Sequence, residues 1–249
     1  MKKLIIPSIL LLLAIAAGAY YFDLGASRET KRDRYLANAQ AYIGAEKSQE
    51  AIIELKNALK LDPGHAESHY QLGVELLKVG DGRAAFNEFV RARDLDPKQI
   101  KASHQLGVMY LRSRNISQAK EELQNLQNRD PDAQETRYLA AQIAVSEKDP
   151  EKALSELQEA FNKEPGKAQI YVDMGHVHMA KRDFKAAEAA FRKALAMDPK
   201  LFRARIGLAQ LYSIAGQQDK AEEELLAATK TDPENENLLH ILGDFYSRT

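Results

Sequence analysis

The sequence predicts an all-α array of stacked antiparallel helix pairs, preceded by one N-terminal transmembrane or signal-anchor helix. Three observations carry that expectation. Six of the eight prolines, Pro63, Pro97, Pro131, Pro165, Pro199 and Pro233, recur every 34 residues. Small and large apolar residues keep fixed places within that frame. Thirteen glycines and eight prolines among 249 residues, with few runs of Val, Ile and Thr, leave helix as the default state.

Composition narrows the function before any motif is read. With 45% hydrophobic and 29% charged residues the chain has the make-up of a folded protein. Thirty-five basic against 36 acidic side chains give a net charge of −1, without the basic excess that phosphate-backbone binding needs, so nucleic acid is not an expected partner. The absence of Cys excludes disulfides, thiolate chemistry, Cys-based zinc sites and the lipid-attachment residue of a bacterial lipoprotein.

The first element is residues 1–22. Lys2 and Lys3 precede the run Leu4 to Phe22, which is interrupted only by Pro7, Ser8 and Gly18 and carries no charge. At ~1.5 Å per residue it spans about 30 Å, one bilayer core. Tyr20, Tyr21 and Phe22 stand where an aromatic interface belt belongs. Ala17-Gly18-Ala19 also fits a signal-peptidase site, so cleavage after Ala19 is the competing reading. Both readings carry the body across the bacterial inner membrane, into the periplasm, because the basic residues lie at the amino terminus. Residues 23–31 read as a linker.

Each periodic proline follows an acid, Asp62, Asp96, Asp130, Glu164, Asp198 or Asp232, and an acid-Pro pair after an apolar stretch stops a helix. The frames are 32–65, 66–99, 100–133, 134–167, 168–201 and 202–235. Within them the eighth position is always Gly or Ala, the twentieth always Ala, and the twenty-fourth always Leu or Phe. Small residues let two helix axes approach, and the large one fills the space between pairs. A single pair cannot bury its own face, so stability comes from stacking. Residues 236–249 repeat the first-helix pattern and read as a capping helix or the start of a seventh repeat.

With Leu72-Gly73, Ala85, Phe89 and Pro97 in repeat two, and Leu106-Gly107, Tyr110, Ala119, Leu123 and Pro131 in repeat three, the chain resembles the tetratricopeptide repeat (TPR) family over residues 32–249. The resemblance implies a right-handed superhelical solenoid. It departs at the Trp position, which is Tyr35, His69, Ser103, Arg137, Tyr171, Arg205 and Leu239, and at Leu126, Ala140 and Ala144, where the array's most easily opened joint is expected. It also implies that first helices line a concave face. Mapped here, that face holds the candidate partner-binding groove Tyr70, Val74, His104, Val108, Tyr138, Gln142, Val172 and His176, extended by Leu77, Leu111, Val145 and Met179. Leu36 and Gln40 stand where carboxylate-clamping members carry Lys and Asn, so that mode is not implied.

Nothing in the residues suggests an enzyme, a cofactor or a metal. No phosphate loop, dinucleotide fingerprint, nucleophile elbow or H-E-x-x-H motif is present. His65 and His69 have helical ligand spacing, but His65 falls in a predicted loop. The expectation is therefore a non-enzymatic scaffold, tethered through residues 4–22, that takes a peptide or helix of a protein partner and assists assembly or export of an envelope complex. Two alternatives stay open: a polysaccharide stacked on Tyr70, Tyr138 and His104, or the N-terminal part of a longer TPR protein.

Overall fold

The computed structural model describes residues 27–248. The apolar run 4–22 lies outside them, and among the described residues no helix is long and apolar enough to cross a membrane. Thirteen α-helices and no strand make up the described chain. They are α1 (Arg28–Gly44), α2 (Ser48–Leu61), α3 (Ala66–Lys78), α4 (Gly82–Leu95), α5 (Ile100–Arg112), α6 (Ile116–Arg129), α7 (Gln134–Ser146), α8 (Pro150–Lys163), α9 (Gln169–Ala180), α10 (Phe184–Met197), α11 (Phe202–Ile214), α12 (Gln218–Thr231) and α13 (Glu236–Arg248).

Two turns alternate along the chain, and each has its own chemistry. The turn that closes a repeat is built on the acid before proline. The carboxylates of Asp62, Asp96, Asp130 and Asp198 each accept the backbone N–H two residues on, at 3.0–3.2 Å. Proline between them presets the turn and removes a donor that the helix no longer needs. Glu164, one methylene longer, pairs instead with Lys167 Nζ at 2.7 Å.

The turn inside a repeat places its fifteenth residue at positive φ, between 58° and 84°: Glu46, Gly80, Arg114, Lys148, Arg182 and Gly216. Only repeats two and six use the residue for which that region is free of Cβ strain. The next residue caps the following helix. Asp81, Asn115, Asp149 and Asp183 accept the N–H three residues on, and after Asp149 a proline opens α8. Lys47 and Gln217 occupy that place in repeats one and six without a side-chain cap.

The described residues divide into two compact units, 27–106 and 107–248. In the first, α1 packs on α2, α2 on α3 and α3 on α4, around a core of Leu55, Leu72, Leu76 and Phe89 with Ala39, Ala51, Ala58, Ala85 and Ala92. Gly73 is glycine because a Cβ there would stand 2.6 Å from the Phe89 ring.

In the second unit the same contact is made by Gly175 and Phe191, with Gly207 of α11 close to the same ring atoms. The core spreads from there through Ala153, Leu157, Tyr171, Leu208 and Tyr212. Repeat three solves the problem differently. Leu123 is only half-buried, and the space over Gly107 is filled by Leu139 of α7, whose methyl would lie 2.5 Å from an added Cβ. Leu126, Ala140 and Ala144, the residues that depart from the repeat pattern, are all buried. On α13, Leu238 is buried and Ile241, Leu242 and Phe245 pack against the second core. Leu239 and Tyr246 are half exposed, and a Cβ on Gly243 would meet nothing.

Candidate functional site

The first helices of repeats three, four and five are α5, α7 and α9. Helical spacing sets Val108, Leu111 and Arg112 on one face of α5, and Tyr138, Gln142 and Val145 on one face of α7. With Asp173, His176 and Val177 of α9 they line a groove of about 660 Å³ in the second unit. Its floor is mainly apolar, and Val145 keeps half of its surface exposed (50%) there. A concave, largely apolar space of this size with few polar groups is the ordinary form of a binding site.

Four of the eight residues expected to line a groove therefore come together: Val108, Tyr138, Gln142 and His176. Leu111 and Val145, from the extended stripe, join them. Val172 does not line it. At 1% exposure it is a core residue. Asp173, next in sequence, faces the groove in its place. Tyr70, Val74 and His104 belong to the first unit, where the Tyr70 ring lies 5.9 Å from that of Phe89. Met179 packs on the second core.

Asp173 is the groove's acid, and its surroundings disfavour its charge. Burial pushes its carboxyl up to about 7, against the opposing pull of Arg203. The Tyr138 hydroxyl donates to its Oδ2, and the Gln169 amide donates to Oδ1 at 3.4 Å. Beside it, His176 is held below the usual imidazole range by burial first and by Arg203 second, its ring edge-on to Phe191 at 5.2 Å. The Gln142 amide oxygen is buried with no partner among the described residues, an arrangement that costs about 1–3 kcal/mol.

The Asp173 shift has a stability consequence. A carboxyl raised from its unfolded value of 3.8 to about 7 favours folding below pH 3.8, and that contribution is lost as pH rises through 7. Asp173→Asn should therefore stabilise the second unit at pH 8, by on the order of 1 kcal/mol once solvent screening is allowed for, and leave it unchanged at pH 3.5. Urea titrations at the two pH values check this.

No metal site forms around the two histidines with ligand spacing. His65 caps α3, its Nδ1 accepting the Ser68 N–H at 3.2 Å, and His69 is bound to Glu88 and the Pro63 carbonyl. Among the described residues no group of three His, Asp or Glu side chains could hold a metal ion.

The model of the tetratricopeptide repeat family matches residues 76–143 and 178–243, more than half of the chain. The chain belongs to the tetratricopeptide repeat family. No curated protein matches it closely enough to count as a relative. Among solved structures it is similar to a thermophilic TPR protein of Thermus thermophilus, at 25% identity, covering 73% of this chain and 98% of that one, with a TM-score of 0.67. PilW, a widely conserved type IV pilus biogenesis factor, has 14% identity over 85% of this chain and 98% of its own, with a TM-score of 0.66. Pseudomonas aeruginosa pilF has 16% identity over 87% and 99%, with a TM-score of 0.60. The last two likenesses are of fold. TPR proteins are in general non-enzymatic scaffolds that bind protein partners, and this fold is consistent with that role.

The TPR pattern places Trp at the fourth position, and here three repeats put a polar pair in its stead. His69 meets Glu88 at 2.5 Å, Arg137 meets Glu156 at 3.0 Å and Arg205 meets Glu224 at 3.0 Å, each bridging the two helices of its repeat. His69 and Arg205 also donate to the carbonyls of Pro63 and Pro199 in the preceding turn. A basic residue followed 19 positions later by Glu is the sequence signal for this pair.

Proposed function

We propose that this TPR protein is a membrane-tethered, non-enzymatic scaffold of the bacterial cell envelope, holding a segment of a protein partner in the groove between α5, α7 and α9. The observation that carries the reading is the groove itself. It leaves Val108, Leu111 and Val145 in an open apolar channel beside Tyr138, and an extended apolar surface of that kind marks an interaction site. An extended peptide or an amphipathic helix fits it, with apolar anchors in the floor and polar contacts at the rim.

Tethering rests on the sequence Lys2-Lys3 followed by the apolar run 4–22, which also argues for a periplasmic body. PilW is described as a pilus biogenesis factor, and a role in assembling or exporting an envelope complex is the analogous place for this chain. The aromatic side chains favour a protein over a polysaccharide. Tyr70 packs its ring against Phe89, and Tyr138 shares a mainly apolar lining with Val108, Leu111 and Val145, which suits apolar side chains better than hydroxylated sugar rings.

Crosslinked affinity capture from native membranes tests the groove. Val108→Ser/Val145→Ser should lose the partner that the parent chain captures while keeping its helicity; equal capture by both would overturn the reading. Protease treatment of intact spheroplasts tests the placement, since a periplasmic body should be digested without membrane lysis.

A further inference from the structure

We infer that the segment bound in this groove is acidic as well as apolar: its anchors fill the floor while flanking Asp or Glu side chains meet a cationic rim. The inference rests on the groove reading above and deepens it by naming the partner's chemistry.

The rim is formed where α5, α7 and α9 end. Arg112, Lys148 and Lys181 all line the groove there. Lys181 is neutralised by Glu151, whose Oε1 lies 2.5 Å from its Nζ. Arg112 and Lys148 have no ion-pair partner among the described residues. The acids that could have opposed them are engaged elsewhere: Asp149 and Asp183 cap α8 and α10, and Glu147 pairs with Lys120. Lys148 is held in place by the turn itself, at φ 61°.

Inside the groove the balance leans the same way. Among the described residues Asp173 is the only carboxylate in the lining, and burial raises it to about 7, so near neutral pH much of its charge is absent. Arg203 acts on both Asp173 and His176 and adds positive potential. An apolar channel of low dielectric edged by unpaired cations attracts an acidic amphipathic segment and repels a basic one. The chain's net charge of −1 makes this a local property of the groove.

The test is selection from a random 12-residue peptide display library on the full chain in detergent, followed by fluorescence titration of the enriched peptides. The expected result is enrichment of Leu, Ile or Phe together with Asp or Glu. Affinity should then fall about tenfold in Arg112→Glu/Lys148→Glu, and severalfold between 50 and 300 mM salt. Retained affinity in Lys56→Glu/Lys98→Glu, two exposed lysines outside the groove lining, controls for the same change in net charge. Peptides that need Val145 but carry no acidic bias and bind the charge-reversed variant equally would overturn this inference and leave the groove reading standing. Failure to enrich any peptide that Val108→Ser/Val145→Ser releases would overturn both.

Discussion

Phe191→Ala should cost the second unit about 4–5 kcal/mol, at the upper end of the ~3–5 kcal/mol usual for removal of a buried aromatic ring. The ring is fully buried and packs directly against two glycines, Gly175 of α9 and Gly207 of α11. A cavity collapses when neighbouring side chains swing into it, and here two of the walls have no side chain to swing. Closing the gap would require the backbones of α9 and α11 to move together, against the packing of the helices around them. The cost should appear as a lower urea midpoint of the second unit, with exchange of amide hydrogens rising first in α9–α11.

The same geometry predicts non-additivity. In the parent chain Gly207→Ala drives a methyl into the Phe191 ring and should destabilise; in the Phe191→Ala background it fills part of the void and should be neutral or stabilising. A double-mutant cycle measures the difference, and a coupling energy near zero would show that the ring does not depend on the glycines.

That contact also marks how far the sequence could be read. A small residue at the eighth position and a large one at the twenty-fourth imply a ring or a branched chain over a bare backbone, and Gly73 with Phe89 and Gly175 with Phe191 are arranged in that way. All six alanines at the twentieth position are fully buried. Repeat three breaks the rule because Leu139, from the next repeat, takes the place over Gly107, and a single-repeat pattern holds no information about which of two neighbours will fill a shared space.

The left-handed turn residues were legible in two repeats of the six. Gly80 and Gly216 announce a positive φ at the fifteenth position, but Glu46, Arg114, Lys148 and Arg182 adopt it too, and their identities give no hint of it. The groove was legible as a face and not as a site. Val108, Tyr138, Gln142 and His176 follow from helical spacing, whereas Val172 is buried and its neighbour Asp173 faces the groove in its place. The cationic rim lies in the ends and turns, beyond the reach of a periodicity argument.

The pair of His69 and Glu88 should give the first unit a pH dependence of predictable sign, and it should vanish in Glu88→Gln. Both ring nitrogens of His69 face acceptors, Nδ1 the Glu88 carboxylate at 2.5 Å and Nε2 the Pro63 carbonyl at 3.0 Å. Neither partner can donate, so both bonds form only when the imidazole carries two protons. The Glu88 bond raises the His69 pKa most; burial opposes it, and the Pro63 carbonyl raises it further. A histidine whose folded pKa exceeds the unfolded 6.5 contributes its full stabilisation below pH 6.5 and loses it as pH rises through the folded value. The first unit should therefore be most stable in mildly acidic solution and weaken above neutrality.

Arg137–Glu156 and Arg205–Glu224 have the same placement in their repeats but hold a side chain that does not titrate in this range, so the effect belongs to repeat two. Asp173 in the second unit acts in the same direction and His176 in the opposite one, and for that reason the readout is local. Hydrogen exchange of α3 and α4 at pH 6 and 8.5, corrected for intrinsic rates, should show opening free energy falling with pH in the parent chain and flat in Glu88→Gln. At pH 6 the variant should be less stable by about 1.5–3 kcal/mol, the loss of a charge-assisted hydrogen bond in a largely buried place. Equal slopes in the two proteins would mean that His69 is neutral in the folded state and that one of its two bonds is not formed.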